Sequence, residues 1–256
     1  MTQDDSAFAA ELAGRAGELL LALREELGFA DPAALKATGD KRSHDLLLGE
    51  LRRERPADAV LSEEGARTDP ARLVAERVWI VDPLDGTREF SEEGRTDWAV
   101  HVALWSAGEL AAGAVALPAR GTVLATGRPV PAPVPPAGTE GRTRIACSRT
   151  RPPAFLAALA EELEAELVPM GSAGVKVCAV VTGEVDAYVH AGGQYEWDSA
   201  APVAVARAAG AYASRIDGSP LVYNRPDPLL PDLLVCRADL APRLLRVLTG
   251  LIPAAQ

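Results

Sequence analysis

The sequence predicts a protein of the α/β (α+β) class that is built from two halves. Three observations lead to this prediction. A long amphipathic helix opens the chain, a series of short apolar strands follows it, and strands alternate with helices in the later part of the chain. Short strands between helices are typical of a layered α/β arrangement. We place the boundary inside a proline-rich stretch, which gives an N-terminal half over residues 1–137 and a C-terminal half over residues 138–256.

The first half begins with a predicted helix over residues 5–27, which Gly28 ends. Its apolar side consists of Phe8, Leu12, Leu19, Leu20, Leu23 and Leu27. Helical spacing returns at residues 46–51. Short apolar runs then predict strands at residues 60–61, 78–81, 99–104, 112–117 and 122–125.

Residues 129–136 alternate proline with small apolar residues and cannot form a central strand or a helix, so we take them as the connection between the halves. The second half alternates strands and helices and contains no internal repeat. The predicted strands are residues 144–147, 185–189 and 233–236, and the predicted helices are residues 154–163, 175–181, 200–209 and 240–248.

Composition indicates a soluble globular protein, with 48% hydrophobic and 24% charged residues in a chain of 256. No apolar run approaches the ~20 residues that a membrane-spanning helix needs, and the acidic N-terminus does not resemble a secretory signal. Cys147, Cys178 and Cys236 are odd in number and lie in apolar segments, so we expect reduced cysteines in a cytoplasmic protein. The formal charge of −10 argues against a nucleic-acid polymer as partner.

The most informative segment is residues 79–90, in which an apolar strand runs into Asp82 and Asp85. Pro83 keeps Asp82 extended, and Asp85-Gly86 is a sharp-turn dipeptide. Two close carboxylates repel each other unless a cation lies between them, and Mg²⁺ prefers such oxygen ligands. The backbone N–H groups of Gly86 and Thr87 suit a phosphate oxygen. An ordinary strand-to-turn junction is the alternative for this segment alone.

Two further acidic clusters flank apolar segments. Glu63-Glu64 follows the short strand at residues 60–61, and Asp198 precedes the small apolar residues of the helix predicted at 200–209. Asp198 is therefore a predicted helix N-cap, a role that is compatible with facing a cleft. A solvated loop pair is the alternative for the two glutamates.

These clusters resemble, in this order, the signature of the Mg²⁺-dependent, lithium-sensitive phosphatases that include inositol monophosphatase and fructose-1,6-bisphosphatase. Ser62-Glu63-Glu64 and residues 86–90 are most similar to the CysQ-type branch, which contains the 3'(2'),5'-bisphosphate nucleotidases. The resemblance extends over nearly the whole chain, from residues 39–41 to residues 236–239. It implies a five-layer αβαβα sandwich with the site at the junction of the halves, and a possible homodimer.

The implied activity is the hydrolysis of the 3'-phosphate of 3'-phosphoadenosine 5'-phosphate, in sulfur assimilation, with two or three Mg²⁺ ions per site. The implied metal ligands are Glu63, Asp82, the carbonyl of Leu84, Asp85 and Asp198. One ion would activate a water molecule and the other would stabilise the leaving alkoxide.

The resemblance also gives catalytic roles to Glu63 and Thr87, which orient the attacking water. Asp40 supports Thr87 or a weaker additional metal, although a Gly-Asp turn is the alternative for it.

The substrate-binding residues implied are Gly86, Thr87, Ser172, Lys176, His190 and Glu196. Lys176 suits the second phosphate of a bisphosphate, and a solvated helix lysine is its alternative. His190 stands where nucleotidases often have arginine and monophosphatases glutamate, and Glu196 is a candidate for a sugar hydroxyl. Arg88 either contacts substrate or pairs with a nearby glutamate, Glu89 or Glu92. We expect His44 and His101 to be structural.

The alternative within the superfamily is an inositol-1-phosphate or sugar-phosphate (fructose-1,6-bisphosphate) phosphatase. His190 favours this alternative, whereas Lys176 and the Arg88-Glu89 pair oppose it. Two other classes stay open: a glycoside hydrolase that uses two carboxylates without a metal, and a non-catalytic module that binds divalent ions.

Overall fold

The computed structural model describes residues 4–65, 70–128 and 141–252. Two five-stranded sheets alternate with three helical layers, so the five-layer αβαβα sandwich is confirmed. None of the helices in the described ranges has the length and apolar character to span a membrane.

Two long helices cover the outer face of the first sheet. They are α1 (Asp5–Leu27) and α2 (Pro32–Glu54). The sheet follows chain order, with its first pair parallel and the others antiparallel. Its strands are β1 (Ala59–Ser62), β2 (Arg77–Asp85), β3 (Ala99–Ser106), β4 (Glu109–Leu117) and β5 (Thr122–Ala125). The single-turn helix α3 (Thr87–Phe90) follows β2.

The second sheet has the order β7-β6-β8-β10-β9. Its strands are β6 (Arg144–Ser148), β7 (Glu166–Met170), β8 (Ala187–Tyr195), β9 (Tyr212–Ser214) and β10 (Leu229–Cys236). The helices of this half are α4 (Leu156–Leu163), α5 (Ala173–Thr182), α6 (Glu196–Ala208) and α7 (Ala241–Leu251). The sheet is mixed, because β8 pairs in parallel with β6 but antiparallel with β10.

Three hydrophobic cores separate the layers, and alternate residues of a strand face different cores. In β2, Trp79 packs under α1 and α2, whereas Ile80 faces α5 and α6. In β10, Leu233 also faces the central core and Leu234 faces α4 and α7. Because the central helices lie between two sheets, every residue from Ala173 to Val181 is buried.

The helix predicted at residues 5–27 is confirmed, and its N-cap is Asp4. The second helix is much longer than residues 46–51, because it starts at Pro32 with Asp31 as N-cap. Asp40 consequently lies within α2, and the alternative of a Gly-Asp turn is wrong.

Asp198 is not an N-cap, contrary to the sequence-based prediction. Strand β8 continues to Tyr195, which is the N-cap itself, and α6 starts at Glu196. Asp198 is the third residue of α6, and its carboxylate accepts a hydrogen bond of 2.6 Å from the N–H of Tyr195. The first turn of α6 thereby fixes the direction of Asp198.

Several smaller differences concern the second half. The strand predicted at residues 185–189 is β8, which begins two residues later and extends to Tyr195, and β7 and β9 were not predicted. The proline-rich stretch at residues 129–136 and the boundary between residues 137 and 138 lie outside the described residues.

Candidate active site

The end of β2 brings Asp82 and Asp85 together through an irregularity in its pairing with β3. Residues three apart in a regular strand face opposite sides of a sheet. Here the register shifts between Asp82 and Asp85, around Pro83. The N–H of Leu84 donates a bond of 3.0 Å to Asp82 Oδ1, and the hydroxyl of Ser43 donates one of 2.7 Å to the carbonyl of Pro83.

Asp198 completes a cluster of three carboxylates. One oxygen from each of Asp82, Asp85 and Asp198 lies within 4.8 Å of the other two, and Asp82 is 1% exposed. Asp82 and Asp85 come from β2 in the first half, whereas Asp198 comes from α6 in the second. The cluster therefore forms at the junction of the halves, as the resemblance implies.

The electrostatics of this cluster call for a cation. Burial raises the pKa of Asp82 well above its ordinary value, and the negative charges of Glu63, Asp85 and Asp198 raise it further. Burial and the charge of Asp85 raise the pKa of Asp198 to about 7. An ion among these oxygens would remove the repulsion, so the residues present fit a divalent metal.

Asp85 differs from the other two carboxylates because it receives hydrogen bonds. Its Oδ2 accepts bonds from the Ser172 hydroxyl at 2.5 Å and from the Gly174 N–H at 2.7 Å, and His101 Nε2 lies 3.3 Å away. Burial disfavours the carboxylate, but His101, Ser172 and the charge of Lys176 outweigh it and lower the pKa of Asp85 to about 2. A Cβ at position 174 would collide with the His101 ring, so the approach of α5 to β3 requires glycine.

His101 is a buried histidine inside the fold, as the sequence suggested, and it also contacts the candidate metal site. It is fully buried in β3, and its Nδ1 lies 3.0 Å from the carbonyl of Trp197 in α6. Burial lowers its pKa, but Asp85 outweighs burial and the pKa is raised. His101 therefore connects the end of β2 to the start of α6. His44, whose Nδ1 lies 3.0 Å from the Ser62 hydroxyl, supports β1.

Glu63 follows the end of β1, where Ser62 pairs with Val81 in parallel register. This register places Glu63 level with Asp82, and Glu63 lines the same cavity as the cluster. Asp40 is half-buried on α2, and burial followed by the charges of Glu64 and Glu63 raises its pKa to about 7. Asp40 is thus close to these glutamates, although it does not itself line the cavity.

A cavity of about 510 Å³ opens over the carboxylates. Gly86 and Thr87 line it, and the Thr87 hydroxyl donates a bond of 3.1 Å to the carbonyl of Leu84. Gly86 has a φ of 84°, a left-handed conformation that glycine adopts without strain. The positively charged or basic side chains that line this cavity are those of Arg88, Arg149, Arg151, Lys176 and His190.

The cations of this cavity differ in what they already contact. Lys176 is 5% exposed, so its alternative as a solvated lysine is wrong, and its ammonium donates to backbone carbonyls. Arg149 forms ion pairs with both Glu89 and Glu92, the two glutamates that the sequence suggested as partners of Arg88. Among the described residues, the exposed side chains of Arg88 and Arg151 make no ion pair.

Glu196 does not line the cavity, contrary to expectation. Its two carboxylate oxygens accept bonds from the N–H groups of Asn224 at 2.7 Å and Arg225 at 2.8 Å. The residue is 1% exposed and holds the chain before β10 against the start of α6. His190 does line the cavity, where its Nε2 lies 2.7 Å from the carbonyl of Gly192.

Sequence reasoning missed several residues that line the cavity, among them two arginines, a tyrosine and a glutamine. Arg149 and Arg151 follow β6, and a basic pair directly after a predicted strand was the available signal. Tyr188 and Gln194 lie on β8, where the Gln194 amide donates a bond of 2.9 Å to the Tyr188 hydroxyl. Nothing in their local sequence distinguishes them from core residues of a strand.

The sequence pattern of the inositol monophosphatase family matches residues 3–249. The chain belongs to this family. It is 57% identical over 253 residues to the 3'-phosphoadenosine 5'-phosphate phosphatase of Mycobacterium leprae, covering 95% of this chain and 93% of the relative. It is 30% identical to the 3'(2'),5'-bisphosphate nucleotidase CysQ of Escherichia coli over 84% of this chain and 92% of the relative.

A solved family member has the same fold. The crystal structure of CysQ from Bacteroides thetaiotaomicron aligns with a TM-score of 0.73 and 27% identity, covering 91% of this chain and 97% of that one. The resemblance to the CysQ-type branch is thereby confirmed. Inositol monophosphatases are metal-dependent phosphatases, and the three aspartates of this member could bind the metal.

Proposed function

We propose that this protein is a Mg²⁺-dependent phosphomonoesterase that hydrolyses 3'-phosphoadenosine 5'-phosphate to AMP and phosphate. The observation that carries the proposal is one cavity that holds a buried carboxylate cluster together with Arg88 and Arg151, which form no ion pair with any residue that the structure describes. Such a cavity suits a substrate with one phosphate to cleave and another to hold. The relative at 57% identity carries this activity in its name.

Mg²⁺ is the proposed ion because the candidate ligands are all oxygen atoms. The residues that would hold two or three ions are Glu63, Asp82, the carbonyl of Leu84, Asp85 and Asp198. When bound, Mg²⁺ supplies Lewis-acid chemistry, which makes water more acidic and stabilises negative charge on the leaving oxygen.

The residues of the chain itself do the positioning. The Thr87 hydroxyl donates its hydrogen bond to the Leu84 carbonyl. The lone pairs of Thr87 Oγ1 would therefore accept a hydrogen bond from the attacking water. Glu63 would accept the second hydrogen of that water. The backbone N–H groups of Gly86 and Thr87 would hold an oxygen of the phosphate that is cleaved. Asp40, which is close to Glu64 and Glu63, would support Thr87 or contribute to a weaker additional metal.

The cations for the retained phosphate are proposed to be Arg88 and Arg151. Both are exposed and line the cavity, and their guanidinium groups can bind phosphate through two hydrogen bonds. His190 lines the same cavity. Burial lowers its pKa, and the charges of Lys176 and Arg151 lower it further. A neutral His190 would contact the sugar or base rather than a phosphate.

A second candidate is an inositol-1-phosphate phosphatase, which His190 favours because an arginine is usual there in nucleotidases. Steady-state release of phosphate from 3'-phosphoadenosine 5'-phosphate, inositol-1-phosphate and fructose-1,6-bisphosphate, each with Mg²⁺, separates the candidates. A charged hydrogen bond contributes roughly 1.5–3 kcal/mol, so kcat/KM for the nucleotide should be higher by about 10- to 100-fold. An equal or higher value for inositol-1-phosphate would reject the proposal.

The proposal extends to the setting of the enzyme. We place it in the cytoplasm, in sulfur assimilation, which the three buried and unpaired cysteines support. We also propose a homodimer, which light scattering of the purified protein tests directly.

A further inference from the structure

The ammonium of Lys176 is occupied by the protein itself. Nζ donates hydrogen bonds to the carbonyl of Ser172 at 2.6 Å and to the carbonyl of Gly171 at 3.2 Å. It also lies 5.2 Å from the ring centre of Tyr188. With 5% of its surface exposed, the side chain has little freedom to turn toward a ligand.

The turn that Lys176 holds is strained. Ser172 has a φ of 48°, in the left-handed region that residues other than glycine rarely occupy. Such a conformation persists only where surrounding contacts enforce it. The two bonds from Lys176 are contacts of this kind, because they fix the carbonyls on both sides of the Ser172 N–Cα bond.

The turn at Gly171 and Ser172 positions Asp85. In its strained conformation Ser172 donates its hydroxyl hydrogen to Asp85 Oδ2. The same hydroxyl oxygen accepts a bond of 3.0 Å from the N–H of Val175, in the first turn of α5. The start of α5 then presents the N–H of Gly174 to the same oxygen. The Ser172 hydroxyl and the Gly174 N–H both donate to Oδ2 of Asp85, so neither of them donates to Oδ1.

We propose that Lys176 is a positioning residue for the metal site, acting through the turn at Gly171 and Ser172 on Asp85. This inference rests on the proposed metal-dependent function, and it assigns Lys176 to the metal ligand rather than to the retained phosphate. A lysine suits this role because a compact ammonium offers three donors and can satisfy two carbonyls at once.

The test compares Lys176→Met with wild type, using two substrates and one measurement without substrate. The substrates are 3'-phosphoadenosine 5'-phosphate and adenosine 3'-phosphate, which lacks the retained phosphate. The third measurement is the Mg²⁺ concentration at half-maximal rise of the melting temperature. We expect that concentration to increase by about 10- to 100-fold, as for other residues that orient metal ligands. We also expect equal losses of kcat on both substrates.

The opposite pattern would overturn the inference. A loss confined to KM for the bisphosphate, with an unchanged Mg²⁺ midpoint, would make Lys176 the cation of the retained phosphate. Lys41→Met is the matched control, because Lys41 is an exposed lysine that pairs with Asp45 on α2. It should leave all three quantities unchanged.

Two further variants keep the inference testable if Lys176→Met folds poorly. Lys176→Gln retains amide donors but no charge, so it should recover part of the Mg²⁺ affinity, whereas a phosphate cation would not be replaced by glutamine. A glycine at position 172 adopts a φ of 48° without strain, so in Ser172→Gly the turn depends less on Lys176. We therefore expect Lys176→Met to weaken Mg²⁺ binding less in the Ser172→Gly background than in wild type. Fully multiplicative effects, or no recovery with glutamine, would contradict the inference.

The failure of this inference can be distinguished from failure of the proposed function. If wild type does not hydrolyse the nucleotide, the proposed substrate is wrong, but the Mg²⁺ midpoint still reports on Lys176. If wild type is active and the midpoint of Lys176→Met is unchanged, only the inference fails.

Discussion

The hydroxyl of Ser172 donates a hydrogen bond of 2.5 Å to Oδ2 of Asp85. Ser172 is the N-cap of α5 in the second half, whereas Asp85 ends β2 in the first. A side chain of one half therefore fixes a carboxylate of the other at the candidate metal site. The site is complete only when the two halves are assembled.

Replacing this hydroxyl should weaken metal binding more than it lowers stability. Ser172→Ala removes a charged hydrogen bond of roughly 1.5–3 kcal/mol to Asp85, so we expect an increase of about 10-fold or more in the Mg²⁺ midpoint. Loss of the N-cap should cost about 1 kcal/mol of stability. Thermal denaturation with and without Mg²⁺ measures both. Ser214→Ala is the control, because Ser214 is also buried but donates to the backbone carbonyl of Arg215. An effect of equal size on the Mg²⁺ midpoint of Ser214→Ala would contradict this role of Ser172.

Neutralising one carboxylate should stabilise the metal-free protein and strongly lower turnover in the presence of Mg²⁺. Asp82→Asn keeps an acceptor for the N–H of Leu84 but removes a buried charge that Glu63, Asp85 and Asp198 repel. We expect a higher melting temperature in EDTA, little further rise with Mg²⁺, and a fall of about 10²- to 10³-fold in kcat. A variant with wild-type turnover would remove Asp82 from the ligand set.

The metal-free protein should lose stability as pH rises from about 4 to about 7. The folded-state pKa of Asp198, about 7, lies above the ordinary value of 3.8, so protons bind more tightly to the folded protein. This contribution to stability is fully present below 3.8 and is lost as pH rises through about 7.

The pH series is measured by thermal denaturation in EDTA and repeated with saturating Mg²⁺, which should reduce the decline. Asp198→Asn isolates the contribution of Asp198, because asparagine cannot titrate. If wild type and variant show the same pH dependence without metal, Asp198 does not titrate in this range.

The arginines that line the cavity should determine the preference for a bisphosphate. Arg151→Ala and Arg88→Ala each remove a charged bond, so we expect kcat/KM for 3'-phosphoadenosine 5'-phosphate to fall by about 10- to 100-fold, mainly through KM. Adenosine 3'-phosphate should be turned over at an unchanged rate, because it has no second phosphate. Arg246→Ala, an exposed arginine on α7, serves as the control. Equal losses on both substrates would place these arginines at the cleaved phosphate.

The candidate metal ligands could be located from the sequence because each lies in a short segment whose local pattern determines its position. A buried strand that runs into Asp82, Pro83 and Asp85 can end only in a turn, and the chain order of the acidic segments carried the resemblance. The direction of Asp198 was not predictable in this way. It depends on how far β8 continues, and Tyr195 reads equally well as strand or cap.

The burial of Lys176 and the two missed strands depend on tertiary contacts. From the sequence alone, a lysine on α5 is expected to be solvated. Its ammonium is enclosed because the second sheet packs over the helix. The strand β7 contains Pro169 and lies at a sheet edge, where proline is tolerated, and β9 has three residues at the other edge. Short edge strands carry too little hydrophobic pattern to be distinguished from loops.

The central claim is that the carboxylates of both halves hold the metal that phosphate-ester hydrolysis requires. Its most direct test is the hydrolysis of 3'-phosphoadenosine 5'-phosphate by EDTA-treated protein that is titrated with Mg²⁺. We expect no turnover before Mg²⁺ is added, and full recovery along the same Mg²⁺ concentration range that raises the melting temperature. Undiminished turnover in EDTA, or no turnover at any Mg²⁺ concentration, would contradict the claim.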